Sequence, residues 1–311
     1  MSGAARFDPV GELPEGRVVL EASAGTGKTW TIAALVTRYV AEMGVPIEEL
    51  LVVTFTRAAT SELRSRVWNR LAEAERFLQA PGPTDDPVLE LLANTDDETR
   101  ELRRLRLREA LRNFDGATIA TIHGFATRVL RGLGFLSGSD ASAEPMADLS
   151  ELIKQIVSDT IVGRFADAED PPPTAKQLTE IIGTIETNHD IALIPTEGQT
   201  DGLAALRWQL ACSMRSDLIQ RTQAGGTLTY DDLLIFARDA LESPTVGEAA
   251  RELLRQQYRI ALIDEFQDTD PIQWDIFNTL FGDDASTLVD IGDPKQSIYS
   301  FRGADVHAYL E

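Results

Sequence analysis

The sequence predicts an α/β fold: a parallel sheet with helices on both faces, interrupted by an inserted all-helical segment. Three observations predict it. Short apolar runs recur along the chain, each followed by a helical stretch, which is the alternation of a parallel sheet. One such junction, EASAGTGKT at residues 21–29, has the strand–loop–helix setting of a phosphate-binding loop. Between the two halves of the alternation lies a long helical interval broken by Pro171-Pro172-Pro173, which cannot continue a helix.

The first strand is expected at residues 18–21, where Val18, Val19 and Leu20 are apolar. After it, Gly25 and Gly27 let the backbone curl so that successive N–H groups face phosphate oxygens. The helix expected over residues 30–41 adds the positive end of its dipole. Ala22, Ser23, Ala24, Gly25, Thr26, Gly27, Lys28 and Thr29 are therefore the candidate nucleotide-binding set. Lys28 suits the β- and γ-phosphates, and the Thr29 hydroxyl suits Mg²⁺; Ala22 stands where the strict motif has glycine. The competing reading is a glycine-containing turn before a core helix. A second strand at residues 50–55 leads into a helical run, residues 66–116, broken at Ala80-Pro81-Gly82-Pro83. A third strand is expected at residues 117–121. Residues 137–225 read as the helical insert, with residues 1–136 and 226–311 forming the core, and Gly225-Gly226 marks the return.

The fourth strand, residues 260–264, is an apolar run ending in Asp264 and Glu265. That pattern reads as a buried strand with carboxylates at its C-terminal edge. There Asp264 suits a metal held through water, and Glu265 suits polarising an attacking water. Solvated acids capping a strand are the alternative. The fifth strand, residues 287–291, is followed by GDPKQ, which puts Gln296 at the same sheet edge, within reach of a γ-phosphate. Lys28, Glu265 and Gln296 are thus the candidate catalytic residues, and Gln267 is expected in the same polar network.

Composition sets the bounds. With 311 residues and 43% hydrophobic content, the chain can bury one large or two moderate cores. No apolar run approaches the ~20 residues of a membrane span, and the N-terminus lacks a signal-peptide pattern. The single cysteine, Cys212, cannot form an internal disulfide, which fits the cytoplasm; it is expected to be a small core residue. Fifty acids against 29 bases give a net charge of −21, which repels phosphate over most of the surface. Six arginines fall between Arg100 and Arg112. Of these, Arg100, Arg104 and Arg108 share a helical face that reads as solvated or acid-paired.

The motif order EASAGTGKT, VVTFTRAATSELRSRV, ATIHGFATRVLR, TYDDLL, ALIDEFQDTDPIQW and DIGDPKQSIYSFRGAD resembles the UvrD-type superfamily 1 DNA helicases, and among them the RecB branch. The likeness covers roughly residues 18–70, 118–131 and 229–309; residues 140–225 carry no recognised motif. It implies a RecA-like P-loop core with ATP and Mg²⁺ as cofactors. It further implies 3′→5′ movement along single-stranded DNA, entry at duplex ends, and RecC- and RecD-like partner subunits. By the same resemblance Thr54, Phe55, Thr56 and Arg57 contact DNA, as do Thr121, His123 and Phe125, and then Tyr299, Phe301 and Arg302. Phe301 stands where UvrD relatives carry a stacking tryptophan. The competing readings are a capping or core role for His123, core phenylalanines, and a structural ion pair for Arg302.

Two features depart from the family pattern. The glutamine that reads adenine upstream of the loop has no counterpart in GELPEGRVV. The second RecA-like domain, with its arginines facing the nucleotide, and the nuclease domain are also expected to lie beyond Glu311. This implies a fragment of a longer polypeptide. Two function classes follow: an ATP-dependent DNA helicase motor, or a nucleotide- and single-strand-binding module without turnover of its own.

Overall fold

The computed structural model describes residues 7–22, 27–134, 149–166, 173–186, 193, 202–224, 230–282 and 286–293. The chain divides into two compact units, Met1–Leu133 with Leu234–Glu311, and Gly134–Leu233.

The first unit opens with β1 (Arg17–Glu21), α1 (Lys28–Arg38), β2 (Leu50–Thr54) and α2 (Arg57–Gln79). It continues through α3 (Pro87–Ala93), α4 (Asp97–Arg112), β3 (Thr118–Thr121) and α5 (Ile122–Gly132). The helical run expected at residues 66–116 is three helices starting nine residues earlier, because caps set the starts. The Thr56 hydroxyl accepts the Ala59 N–H, Asp86 accepts from Val88 and Leu89, and Asp96 accepts from Thr99. The helix expected at residues 30–41 begins at Lys28 and ends in a wide turn, Tyr39–Met43, closed by Gly44 at φ 68°. There Arg106 Nη1 donates to the Ala41 and Glu42 carbonyls at 2.9 and 2.8 Å.

α6 (Ser150–Phe165), α7 (Ala175–Glu186) and α8 (Gly202–Ala224) come next, and α9 (Tyr230–Glu242) carries the boundary between the units. Then follow α10 (Gly247–Gln257), β4 (Ile260–Asp264), α11 (Pro271–Phe281) and β5 (Thr287–Gly292).

All five strands are parallel, in the order β1-β5-β4-β2-β3. β5 therefore separates the strand that precedes the phosphate loop from the strand that carries the acids. The central strands β2 and β4 are buried along their whole length, which explains their near-continuous apolar sequence. β1, at the edge, is only half-covered. On one face Ile32, Leu35, Val36, Leu63 and Val67 pack with Leu50, Val52, Leu262, Val289 and Ile291. Elsewhere in this unit Phe125 stacks on Phe277 at 6.0 Å and meets Tyr258 edge-on at 5.9 Å.

The second unit is built by α6, α7 and α8, which close on Ile153, Ile156, Val157, Leu178, Ile182, Leu210 and Met214. An ion pair, Arg221–Asp159 at 2.7 Å, ties α8 to α6. Cys212 is half-buried rather than a core residue, bordering a cavity of about 470 Å³ with Arg215 and Ile219. Among the described residues no helix is long and apolar enough to cross a membrane.

Candidate functional site

Parallel strands end together, and this sheet gathers the candidate residues along its carboxyl edge. Glu21 pairs with Gly292, Asp264 with Ile291, and Thr54 with Thr121. The edge thus carries, in spatial order, the start of the phosphate loop, the end of β5, the acids of β4, and Thr54 and Thr121. Ala22 is tied to this edge by its N–H, which donates to Gly292 O at 2.9 Å.

Gly27 caps α1 at φ 92°, a left-handed conformation that favours glycine. Lys28 opens the helix, with Thr29 half-buried beside it. Although 237 positions separate them, Lys28 Nζ donates to Glu265 Oε2, and the lysine side chain is largely buried. Glu265 sits at φ 56°, the one non-glycine residue with positive φ among those described. A strand would aim Asp264 and Glu265 to opposite faces; the left-handed turn breaks that alternation just as the strand ends. The Gln267 amide donates to Glu265 Oε2 at 2.7 Å and accepts from the Asp293 N–H at 2.9 Å.

Asp264 is 8% exposed. Burial pushes its carboxyl up to about 6, the neighbouring Glu265 charge adds to the rise, and Lys28 and the Glu265 N–H oppose it. A carboxylate held up in this way gains from a cation beside it. The Asp264 carboxylate and the Thr29 hydroxyl are hard oxygen donors, and so sparse a protein set fits Mg²⁺, which keeps waters and phosphate oxygens in its shell.

The DNA candidates fall out unevenly. Phe55 is half-buried just past the end of β2, and Thr56 and Arg57 are exposed at the start of α2. Thr56 uses its oxygen as a cap acceptor, which leaves its O–H to donate. Thr54 is a correction: it is 1% exposed, with its hydroxyl shared between Thr60 Oγ1 and Thr56 O. Phe125 is a second correction, fully buried in the aromatic cluster with Tyr258 and Phe277 and closed to a base. Thr121 caps α5 by accepting the Gly124 N–H at 3.1 Å, and His123 is half-buried on the first turn. Arg100 and Arg104 are paired with Asp97, Glu101 and Glu75. Ser23, Ala24, Gly25 and Thr26, with Gln296, Tyr299, Phe301 and Arg302, lie outside the described residues.

Sequence reasoning passed over Asp290. It lies fully buried in β5, with neither carboxyl oxygen hydrogen-bonded among the described residues. Burial pushes its carboxyl up to about 7, opposed by Arg17, whose guanidinium lies 4.1 Å above the Trp274 ring.

The UvrD/REP helicase N-terminal domain family matches residues 6–311. "RecBCD enzyme subunit RecB" of Mycobacterium tuberculosis is 41% identical over 309 residues, covering 98% of this chain and 28% of that protein. The protein of the same name from Mycolicibacterium smegmatis is 42% identical over 310 residues, with the same coverage of each chain. The one from Escherichia coli is 31% identical, covering 98% of this chain and 36% of the relative. The chain spans about a third or less of the length of these relatives. With the family match running almost end to end over a five-stranded parallel sheet, the chain belongs to the UvrD/REP helicase N-terminal domain family.

Proposed function

We propose that this chain is the nucleotide-binding part of a RecB-type DNA helicase motor, binding ATP with Mg²⁺ and coupling its hydrolysis to movement on single-stranded DNA. The observation that carries the reading is the meeting of Lys28 with Glu265, beside buried Asp264, at the carboxyl edge of the sheet. An unpartnered lysine there would be costly, and an incoming phosphate offers it an exchange of anions. Lys28 then leaves Glu265 for phosphate, and Glu265 becomes available to orient and polarise the attacking water. Asp264 and Thr29 are the proposed holders of Mg²⁺, which when bound neutralises developing charge on the phosphates. Gln296 is the proposed γ-phosphate sensor. Phe55, Thr56, Arg57, Thr121, His123, Tyr299, Phe301 and Arg302 are the proposed strand contacts.

For the whole protein the proposal extends to 3′→5′ polarity, action at duplex ends, RecC- and RecD-like partners and a cytoplasmic location. Residues 137–225 are the proposed helical insert. The relatives' printed name, a subunit of an enzyme complex, supports the partner reading.

Calorimetry with Mg·ATP tests the site. Lys28→Ala removes a charge-assisted phosphate contact worth about 1.5–3 kcal/mol, so affinity should fall at least tenfold. Equal affinity in a folded mutant would overturn the assignment.

A further inference from the structure

Gln267 reaches two elements with one side chain. It lies in the short helical turn Phe266–Asp268, two residues after Glu265, and is 3% exposed. Nε2 holds Glu265 Oε2, while Oε1 holds the Asp293 N–H at the end of β5. Gly292 packs against that same Oε1 so closely that a Cβ there would collide with it. Glycine's bare backbone is what lets the strand end approach the amide. Lys28 and Gln267 donate to the same oxygen of Glu265. Glu265 also occupies a left-handed backbone conformation, which a residue with a side chain keeps only where its surroundings impose it.

Building on the nucleotide-site reading above, we infer that Gln267 is a positioning residue of the site. Its amide nitrogen keeps the Glu265 carboxylate placed once Lys28 turns to phosphate, and its oxygen ties that carboxylate to the end of β5. Glu265 and Asp293 are then held as one unit.

Two variants separate the arms. Gln267→Met keeps the length and can neither donate nor accept, whereas Gln267→Glu keeps an acceptor for Asp293 but loses the donor to Glu265. In the 311-residue chain, Mg·ATP affinity is measured by calorimetry. Cleavage of γ-labelled ATP is followed over hours with protein in excess, and exchange of the Asp293 amide by hydrogen–deuterium exchange. Both variants should cleave at least tenfold more slowly while binding Mg·ATP within threefold of wild type. Asp293 exchange should quicken in Gln267→Met and stay slow in Gln267→Glu. Unchanged cleavage, or a fall in rate matched by an equal fall in affinity, overturns the inference. If Gln267→Met does not fold, Gln267→Glu carries the rate comparison. If wild-type cleavage is below detection, exchange decides. Slowing of Asp293 exchange by Mg·ATP in wild type but not in the variants supports the inference, and the same response in all overturns it. Failure of the wild-type chain to bind Mg·ATP overturns the nucleotide-site reading instead.

Discussion

Asp290 lies between Val289 and Ile291, fully buried, with no hydrogen bond to either carboxyl oxygen among the described residues. Its charged form is poorly solvated there, so the folded protein holds its proton up to about pH 7, against an ordinary value of 3.8. Between those two values the native state binds more protons than the unfolded chain, and stability falls as pH rises through that window. The cost is fully present above pH 7 and absent below pH 4. A shift of this size corresponds to a few kcal/mol, on the order of 1.4 per pKa unit. Asp290→Val should therefore raise the melting temperature by several degrees at pH 8 and leave it nearly unchanged at pH 4. Scans at both values check this, and an equal effect at each would dismiss the buried charge as the cause. Nothing in the local sequence betrays this residue. Leu288, Val289 and Ile291 make the segment read as a strand, and one acid does not spoil that reading. Its isolation appears only once β1 and β4 close on either side.

Elements were legible where the signal was local. β4 ends at Asp264 where its apolar run ends, and the other strands fall within a residue of expectation. Helix starts were less so, because Thr56, Asp86 and Asp96 act through caps that the apolar pattern does not register. Phe125 shows a different failure. Along α5 the buried positions are Ile122, Phe125, Ala126, Val129 and Leu130, the spacing of a core-facing stripe. That periodicity was present in the sequence, but the motif resemblance outweighed it. Phe55 escapes because it stands past the end of its strand. The two rings should thus respond in opposite ways. Phe125→Ala should cost about 3–5 kcal/mol of stability. Phe55→Ala should cost about 1–3 kcal/mol of single-strand affinity with little loss of melting temperature. Melting curves and oligonucleotide titrations on the same preparations settle it; a Phe55 variant that melts early yet binds normally makes that ring a core residue too.

At the scale of the molecule, the fold class was the most readable level, since five strand signals alternating with helices admit few arrangements. Strand order was not readable: that β5 lies between β1 and β4 depends on pairing between distant segments. Arg100, Arg104 and Arg251 are engaged by acids, so the proposed strand contact would draw little charge from them.

The placement of β1 also governs when the site can come into being. Among the described residues β1 is an edge strand paired with β5 alone, residues 17–21 against residues 288–292. On the ribosome the loop that follows β1 is made long before β5, the strand that anchors it. Closing so long a loop is slow. A nascent chain arrested before Thr287 should thus keep residues 17–21 open to protease and bind no nucleotide, and it should gain both protection and binding once Gly292 has emerged.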